Sequence, residues 1–225
     1  MKRTLFITGT DTGVGKTVLT ALLAEFLREQ GIRVAALKPI CSGRRDDARI
    51  LRRALGGKLS LEEINPWHFR MPVAPVIAAR QERRVVTLAP VLAHIRAVLK
   101  RFDVMLVEGA GGLLSPLGKD FDSRGLISAL RATPVIVAPN RLGVVNHILL
   151  TLEALPNNLR TEARIVLMTP PKPDLSTGSN ARLLAQLSVR NIYRLPWFGA
   201  KFSPSITMQE QLVRKALAEI AGVAP

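Results

Sequence analysis

A glycine-rich segment near the start of the chain constrains the fold more than any other feature. Residues 9–17 read Gly-Thr-Asp-Thr-Gly-Val-Gly-Lys-Thr, and they directly follow the short apolar run Thr4–Thr8. The run predicts a strand, the glycines predict a tight loop, and Lys16 predicts the start of a helix. A loop and a helix N-terminus in this order direct backbone N–H groups and partial positive charge at phosphate. The segment therefore indicates a site for a nucleoside triphosphate.

The individual residues of this loop suit such a ligand. Gly13 and Gly15 allow successive N–H groups to turn inward without a Cβ clash. Lys16 can reach the terminal phosphates, and the Thr17 hydroxyl can bind Mg²⁺. The usual spacing has glycine where this chain has Thr10, and here that glycine comes one residue earlier. A chance glycine-rich turn is the alternative, but Gly-Lys-Thr between a strand and a helix disfavours it.

Composition indicates one globular domain, so we expect residues 1–225 to form a single unit. Hydrophobic residues make up 48% of the chain and charged residues 22%, as in ordinary globular proteins. No apolar run reaches the roughly 18 residues of a membrane span. Because a strand is predicted from Thr4, we expect no signal peptide. The single cysteine, Cys41, excludes an internal disulfide and is typical of a reducing cytosol, so we expect a cytoplasmic protein.

The net charge of +15 admits two interpretations. A basic chain can bind nucleic acid, or it can attract small anionic substrates. The Lys and Arg residues are spread along the chain, aromatic residues total 4%, and there is no long basic tail. This distribution favours a generally basic surface over a nucleic-acid interface. We therefore expect small-molecule substrates, with no nucleic acid and no membrane as partner.

Apolar runs alternate with amphipathic segments along most of the chain. Strands are predicted at Thr4–Thr8, Arg33–Lys38, Val104–Glu108, Pro134–Ala138, Ala163–Met168 and Ile192–Leu195. Helices are predicted at Lys16–Gln30, Asp47–Leu55, Ala89–Lys100, Ser123–Leu130, Gly143–Leu155, Ala181–Leu187 and Met208–Ala221. Such alternation predicts an α/β fold with a mostly parallel sheet and helices on both faces, so that loops at the carboxyl ends of the strands line one crevice. The proline-containing residues 56–86 predict an irregular insertion or lid.

Charged residues at the ends of predicted strands are the candidates for chemistry. Lys38 ends the second strand, where a fixed cation could stabilise charge on a transferring phosphoryl group. Glu108 ends the apolar run that begins at Val104, which favours metal ligation over a solvated strand end. Asp46 and Asp47 open the next helix, and either could bind Mg²⁺, although Asp46 also suits the cap of that helix.

A second anion site is predicted after the fourth strand. Residues 143–146 read Gly-Val-Val-Asn and look like a helix N-terminus whose free amides could bind a carboxylate. A capped helix without a ligand is the alternative. His68, His94 and His147 have no convincing catalytic partner, and Cys41 has no nearby histidine, so we assign none of them a role.

Together these segments resemble the dethiobiotin synthetases, a family with a P-loop NTPase-type fold. The resemblance rests on ordered motifs that cover nearly the whole chain: Gly9–Thr17, Lys38-Pro39, Ser42-Gly43, Asn65-Pro66 with Phe69, Pro72 and Ala74-Pro75, Val107–Gly112, Gly143 with Asn146-His147, and Leu195–Trp197. The early position of Gly9 also belongs to that family's pattern.

The resemblance implies an ATP- and Mg²⁺-dependent ligase of biotin biosynthesis. Such an enzyme closes the ureido ring of dethiobiotin from 7,8-diaminononanoate and CO₂, through a carbamate and a carbamic-phosphoric anhydride. Catalytic roles are implied for Thr12, Lys16, Lys38 and Ser42, and Mg²⁺ ligation for Thr17, Asp47 and Glu108. Nucleotide contacts are implied for Gly13, Val14, Gly15, Lys16, Thr17, Met168 and Pro196, and substrate contacts for Ser42, Gly111, Gly112, Gly143, Val144, Val145 and Asn146. In the family the contacts of the last four come from a partner subunit, so a homodimer with shared sites is implied.

Two stretches bear on the nucleotide and on the competing interpretation. The family often has Asn-Asp after the fifth strand, where asparagine contacts adenine, whereas residues 167–170 here read Leu-Met-Thr-Pro. Looser base selectivity, or recognition by backbone groups, is then implied. Related P-loop ATPases that partition DNA or carry cargo are the competing interpretation, and the net charge of +15 would suit them. They carry a lysine where this chain has Asp11, which argues against that interpretation.

Overall fold

The part of the chain that the structure describes contains two sheets of parallel strands. The computed structural model describes residues 2–198 and 211–224. Its strands are β1 (Arg3–Gly9), β2 (Val34–Leu37), β3 (Ile40–Ser42), β4 (Trp67–Phe69), β5 (Val104–Glu108), β6 (Thr133–Pro139), β7 (Arg164–Met168) and β8 (Ile192–Leu195). Six of them form the main sheet in the order β2-β5-β1-β6-β7-β8, and all of its pairs are parallel. The predicted α/β fold with a mostly parallel sheet is confirmed.

Helices connect most of these strands. They are α1 (Lys16–Glu29), α2 (Asp46–Ala54), α3 (Leu61–Ile64), α4 (Pro75–Gln81), α5 (Leu88–Leu99), α6 (Ser123–Leu130), α7 (Val144–Glu153), α8 (Asn157–Arg160), α9 (Asn180–Gln186) and α10 (Gln211–Ala221). The predicted helices and strands agree with these bounds to within two residues wherever both ends lie in the described part of the chain. Residues 208–210, at the start of the last predicted helix, lie outside it.

The segment 56–86 is more regular than predicted. It contains α3, β4 and α4, and β4 pairs in parallel with β3 to form a separate two-stranded sheet. The Ser60 hydroxyl accepts from the amide of Glu63, whose carboxylate accepts from the amide of Ser60 in return. This capping box fixes the start of α3 and is visible in the sequence, whereas a strand of three residues is too short to show a period. The prediction of an irregular insertion is therefore wrong for these three elements, while the alternative of a lid stays a prediction.

The central position of β1 sets the place of the glycine-rich loop. Residues 5–9 of this strand are buried, and Leu5 lies opposite Leu106 of β5 on one side and Thr133 of β6 on the other. Parallel strands end at the same edge, so the loops after β1, β2, β5, β6 and β7 all open on the carboxyl edge of the sheet. No helix in the described part of the chain is long and apolar enough to cross a membrane.

Candidate active site

The loop after β1 leads into α1 with a backbone that requires glycine. Gly15 is the N-cap residue of α1 with a φ of 102°, and Gly13 has a φ of 74°. Side chains with a Cβ rarely adopt this left-handed conformation. A Cβ on Gly9 would lie 2.7 Å from Val14 Cγ2 and 3.2 Å from the carbonyl oxygen of Val137 in β6. Close packing of the loop against itself and against β6 thus explains why position 9 is occupied by glycine.

Lys16 begins α1 with its side chain buried inside the loop. Its Nζ donates to the backbone carbonyl of Asp11 at 2.7 Å. The pKa of Lys16 is lowered to about 8, mainly by burial and secondly by the neighbouring positive charge of Lys38. A phosphate group in the loop would favour the charged form of this lysine, because an adjacent anion opposes both effects. The loop therefore suits an anionic ligand.

Four side chains from different elements meet beside the loop. They are Thr17 of α1, Lys38 after β2, Asp47 of α2 and Glu108 at the end of β5. The Oε1 atom of Glu108 accepts from Thr17 Oγ1 and from Lys38 Nζ, each at 2.7 Å. Lys38 Nζ also donates to Asp47 Oδ2. The structure thus brings together three charged residues that the sequence indicates only by their positions at the ends of elements.

The carboxylates of this cluster keep Lys38 charged. Lys38 is only 5% exposed and Glu108 only 1%. Burial alone would lower the pKa of Lys38, but the attraction of Glu108 and then of Asp47 outweighs burial and raises the pKa above its ordinary value. Lys38 is therefore a fixed cation at the edge of the phosphate loop. Removal of Lys38 would leave the buried carboxylate of Glu108 without its cation.

The oxygen atoms of this cluster fit Mg²⁺ held jointly with phosphate. Glu108 Oε2 is buried and has no hydrogen-bond partner among the described residues, so it retains an acceptor for a further ligand. Mg²⁺ prefers oxygen, and proteins usually bind it through one or two carboxylates together with substrate phosphates. Within residues 2–198 and 211–224, no group of three or more His, Cys, Asp or Glu side chains could hold a metal ion alone. Phosphate oxygens would therefore have to complete the coordination.

The two aspartates at the start of α2 lie in different surroundings. Asp47 faces Lys38, whereas Asp46 pairs with the guanidinium groups of Arg44 and Arg49. Arg45 is the N-cap residue of α2, and its side chain does not cap the helix. The predicted capping role of Asp46 is therefore wrong, because the helix begins at Asp46 itself and this carboxylate is taken up by arginines. Metal binding by Asp47 stays a prediction.

Asn65 is a buried residue whose side chain makes several hydrogen bonds, although the sequence pattern predicts no role for it. Its side-chain amide donates to the carbonyl of Lys38 at 2.7 Å. Its Oδ1 accepts from Arg45 Nε at 3.1 Å and from Cys41 Sγ at 3.2 Å. Asn65 thereby holds both the backbone of Lys38 and the N-cap of the helix that carries Asp47. The Asn-Pro pair in the sequence indicates a turn at this point but not these contacts.

We expect Asn65→Ala to lower kcat by about tenfold or more, with a smaller change in the KM for ATP. Lys38 and Asp47 lose their common support in this variant, while the phosphate loop is untouched. The free energy of unfolding should fall by about 1–3 kcal/mol, because the Lys38 carbonyl and the Arg45 guanidinium lose a buried partner. Steady-state kinetics and urea unfolding measure the two effects. Asn158→Ala, at an exposed position in α8, is the control, and an equal kcat in both variants would contradict the role of Asn65.

Other predicted substrate contacts lie on neighbouring loops. Ser42 ends β3, and its hydroxyl donates to the carbonyl of Val73. The amide of Gly112 donates at 2.8 Å to the hydroxyl of the serine three residues on. A Cβ on Gly111 would lie 4.0 Å from Thr12 Oγ1, so the glycine turn after β5 adjoins the phosphate loop. A ligand that used the Ser42 hydroxyl or the Gly112 amide would have to displace contacts within the protein.

The loop after β6 leads into α7 through a left-handed glycine. Gly143 is the N-cap residue, with a φ of 88°. The amide of Val144 donates to the carbonyl of Arg141 at 3.1 Å, so the prediction of free amides is wrong for this residue. A tight turn just before the helix is the reason. Because β6 lies across β1 from β5 and β2, the loop is on the other side of the central strand from Lys38.

Met168, at the end of β7, lies against the phosphate loop. A Cβ on Gly15 would be 3.1 Å from Met168 Cε and 3.2 Å from its Cγ. Pro196 follows β8, the next strand in the sheet. Both residues present apolar atoms at the carboxyl edge. Neither offers the side-chain amide that would form hydrogen bonds with a base.

Comparisons with known proteins identify relatives over most of the chain. The family described as AAA domain matches residues 3–200. The ATP-dependent dethiobiotin synthetase BioD of Anaeromyxobacter dehalogenans (strain 2CP-C) is 44% identical over 201 residues, which cover 87% of this chain and 90% of that protein. The ATP-dependent dethiobiotin synthetase BioD of Methanocaldococcus jannaschii is 40% identical over 157 residues, or 68% of this chain and 73% of that protein.

A solved structure adds evidence on the fold. A nucleotide-binding protein from Archaeoglobus fulgidus in complex with ADP matches with a TM-score of 0.50, covering 96% of this chain and 87% of that chain. Its sequence is 17% identical, so this likeness concerns the fold alone. The two synthetases share far more of the sequence and span most of both chains. On that similarity, the chain belongs to the family of ATP-dependent dethiobiotin synthetases.

Proposed function

We propose that this protein forms dethiobiotin from 7,8-diaminononanoate, CO₂ and ATP with Mg²⁺, a reaction of biotin biosynthesis. Family membership supports the reaction. For this chain, the observation that carries it is the buried Lys38, held by Glu108 and Asp47 beside the phosphate loop. A binding protein switched by nucleotide needs the loop, but it has no need of a second buried cation fixed at the edge of the loop.

The first half of the reaction is a phosphoryl transfer. One amine of diaminononanoate adds to CO₂ and loses a proton, which gives a carbamate. A carbamate oxygen attacks the γ-phosphorus of ATP, and the bond from this phosphorus to the bridging oxygen of ADP breaks. Negative charge spreads over the phosphoryl oxygens during the transfer, so fixed cations stabilise the transition state. We assign that role to Lys16 and Lys38.

The second half closes the ring. The other amine attacks the carbonyl carbon of the carbamic-phosphoric anhydride, loses a proton and expels phosphate. Phosphorylation is needed because the carbamate oxygen is otherwise a poor leaving group. Lys38 would stabilise the departing phosphate, and the hydroxyls of Thr12 and Ser42 would donate to the carbamate and phosphate oxygens. Gly111 and Gly112 would let the backbone approach the substrate closely.

Mg²⁺, when bound, neutralises charge on the ATP phosphates. We assign its protein ligands to Thr17, Asp47 and Glu108. The carboxylate oxygen of Glu108 that lacks a partner supports this assignment. Since Lys38 contacts the same two carboxylates, these side chains would set the position of the lysine relative to the ion.

The nucleotide is assigned to the loop and to the edge of the sheet beyond it. The backbone of Gly13, Val14 and Gly15 would cradle the phosphates. Met168 and Pro196 would contact the base through apolar surface. Such contacts discriminate little between bases, because they offer no matched hydrogen bonds.

We assign the carboxylate of diaminononanoate to residues 143–146 at the start of α7, with the amides of Val145 and Asn146 as donors. This loop lies across β1 from Lys38, so we propose that it completes the site of a second copy in a homodimer. Leu142 and Leu150 are 81% and 61% exposed, and an interface of this kind would cover them.

The shared site can be tested by mixing two inactive variants. Lys38→Ala damages one half of the site, and Asn146→Asp places a negative charge where the substrate carboxylate is assigned. A mixed dimer would contain one site with both native parts, so activity should return after subunit exchange. Sedimentation measures the dimer directly. A monomeric protein, or no recovery in mixtures shown to exchange, would contradict the shared site.

The proposed reaction is tested directly with purified protein, diaminononanoate, bicarbonate, ATP and Mg²⁺. We expect dethiobiotin, detected by mass spectrometry, together with one phosphate released per product molecule. ATP hydrolysis that depends on added DNA and yields no dethiobiotin would contradict the proposal.

A further inference from the structure

Hydrogen bonds tie the loop after β6 to the segment between β7 and α9. We propose that Asp174, in this segment, is a positioning residue for the substrate: it holds the start of α7 in the orientation that receives the substrate carboxylate. This inference rests on the proposed function, because it concerns the same carboxylate. It adds a residue that contacts neither the substrate nor the reacting atoms.

The two oxygens of Asp174 join the two loops. Oδ2 accepts from the amide of Leu142 at 2.8 Å, and Leu142 directly precedes the N-cap residue Gly143. Oδ1 accepts from the amide of Ser176 at 2.9 Å and from its hydroxyl at 2.6 Å. The hydrogen bond from the Ser176 hydroxyl is the largest cause, and that from the Leu142 amide the second, of a pKa lowered to about 2 for Asp174. The carboxylate is therefore charged at any pH suited to an assay.

A second tie runs through two buried asparagines. The side-chain amide of Asn140 donates to the carbonyl of Thr177 at 3.1 Å, and the Thr177 hydroxyl donates to the carbonyl of Asn140 at 2.9 Å. Asn180 donates to Asn140 Oδ1 at 3.0 Å and to the carbonyl of Arg141 at 3.3 Å. Together with the Asp174 contact, these bonds hold a main-chain group in each of three consecutive residues, Asn140, Arg141 and Leu142.

The loop needs such restraint at this point. Gly143 has no side chain to limit its rotation, and its left-handed conformation turns the chain into α7. Leu142 is 81% exposed, so packing within this chain does little to anchor it. The amide of Leu142 is held instead by Asp174. A rotation here would turn the first amides of α7 away from the position of the substrate carboxylate, and small misplacements of this kind are costly.

The test separates positioning from a merely structural role. Asp174→Ala should raise the KM for diaminononanoate about tenfold, while kcat at saturation and the KM for ATP change by less than about twofold. Thr177→Val is nearly isosteric and removes the hydroxyl that donates to the carbonyl of Asn140 at 2.9 Å and to Asp174 Oδ1 at 3.4 Å, so it should raise the same KM to a smaller extent. If Asp174 only stabilised the loop, Asp174→Ala would lower the melting temperature and leave the ratio of the two KM values unchanged.

One control sharpens the comparison. Asp103→Ala removes another exposed carboxylate with two hydrogen bonds, here to Arg33, just before the amino end of β5, and it should not raise the KM for diaminononanoate. Ser176→Ala removes one donor to Asp174 and the hydroxyl that accepts from Asn180 at 3.2 Å, but it leaves the Leu142 contact, so it should raise this KM less than Asp174→Ala does. An unchanged KM in Asp174→Ala, or equal rises in both KM values, would overturn the inference. Failure of the native protein to make dethiobiotin would instead overturn the proposed function.

Discussion

Lys38→Ala is expected to lower kcat for dethiobiotin formation by about 10²- to 10³-fold. The ammonium of Lys38 lies 2.7 Å from Glu108 Oε1, and both side chains are buried. Binding of ATP to the loop should persist, because Lys16 and the loop backbone are unchanged. Steady-state kinetics and titration with a fluorescent ATP analogue measure the two effects separately.

The free energy of unfolding of Lys38→Ala must be measured alongside its activity. The change leaves the Glu108 carboxylate buried without its cation, and loss of one partner of a buried pair costs about 3–5 kcal/mol. Assays therefore belong at a temperature at which circular dichroism shows the variant folded. Lys58→Ala, at an exposed position, is the control. Turnover close to that of the control in folded Lys38→Ala would exclude the assigned role.

Glu108→Gln is expected to raise the Mg²⁺ concentration for half-maximal activity about tenfold and to lower kcat by about 10²-fold. Glutamine keeps the shape of the side chain but loses the charge that faces both Lys38 and the assigned ion. Lys38 retains Asp47 as a partner, so the variant should fold. A titration of activity with Mg²⁺ at fixed ATP gives both quantities.

The comparison variant for Glu108 is Glu62→Gln. Glu62 belongs to α3, its side chain is 78% exposed, and its ion pair with Arg45 is long, at 3.4 Å. We expect no change in Mg²⁺ dependence in this variant. If Glu108→Gln lowered kcat with the Mg²⁺ dependence of the native protein, Glu108 would act only through Lys38 and not as a metal ligand.

Sequence reasoning identified Lys38 and Glu108 because each ends a buried apolar strand. A charged residue at the end of a buried strand indicates a function. Because parallel strands bring their carboxyl ends to one edge of the sheet, such residues are expected to lie close together. Asp46 and Asp47 are candidates because they open the helix after the predicted strand that ends at Lys38, and the residues alone leave open which of them faces the crevice. Their surroundings could not be predicted, because the competition between a helix cap and the guanidinium groups of Arg44 and Arg49 depends on side-chain positions.

Other parts of the site could not be read from the sequence. Asn65 contacts Lys38 and Arg45 through a side chain that comes 27 and 20 residues later in the chain. Asp174 reaches the amide of Leu142 across two loops. Such contacts produce no repeating pattern and no characteristic spacing in the sequence, because they depend on how loops approach one another after the sheet has formed. Ser60 and Glu63 did carry a local signal, the capping box, which argues for structure within residues 56–86.

The central place of β1 has a consequence for how the chain folds. It is synthesised before the two strands that flank it, which come much later in the chain: Arg3 pairs with Val104, and Leu5 pairs with Thr133. Pairings this far apart in sequence form slowly, because a long stretch of chain must be ordered before any contact is gained. On the ribosome, the glycine-rich loop would therefore emerge early and become competent to bind only after β5 and β6 have docked. A nucleotide that binds only the native state would then stabilise the completed sheet, in which β1 has gained both of its neighbours.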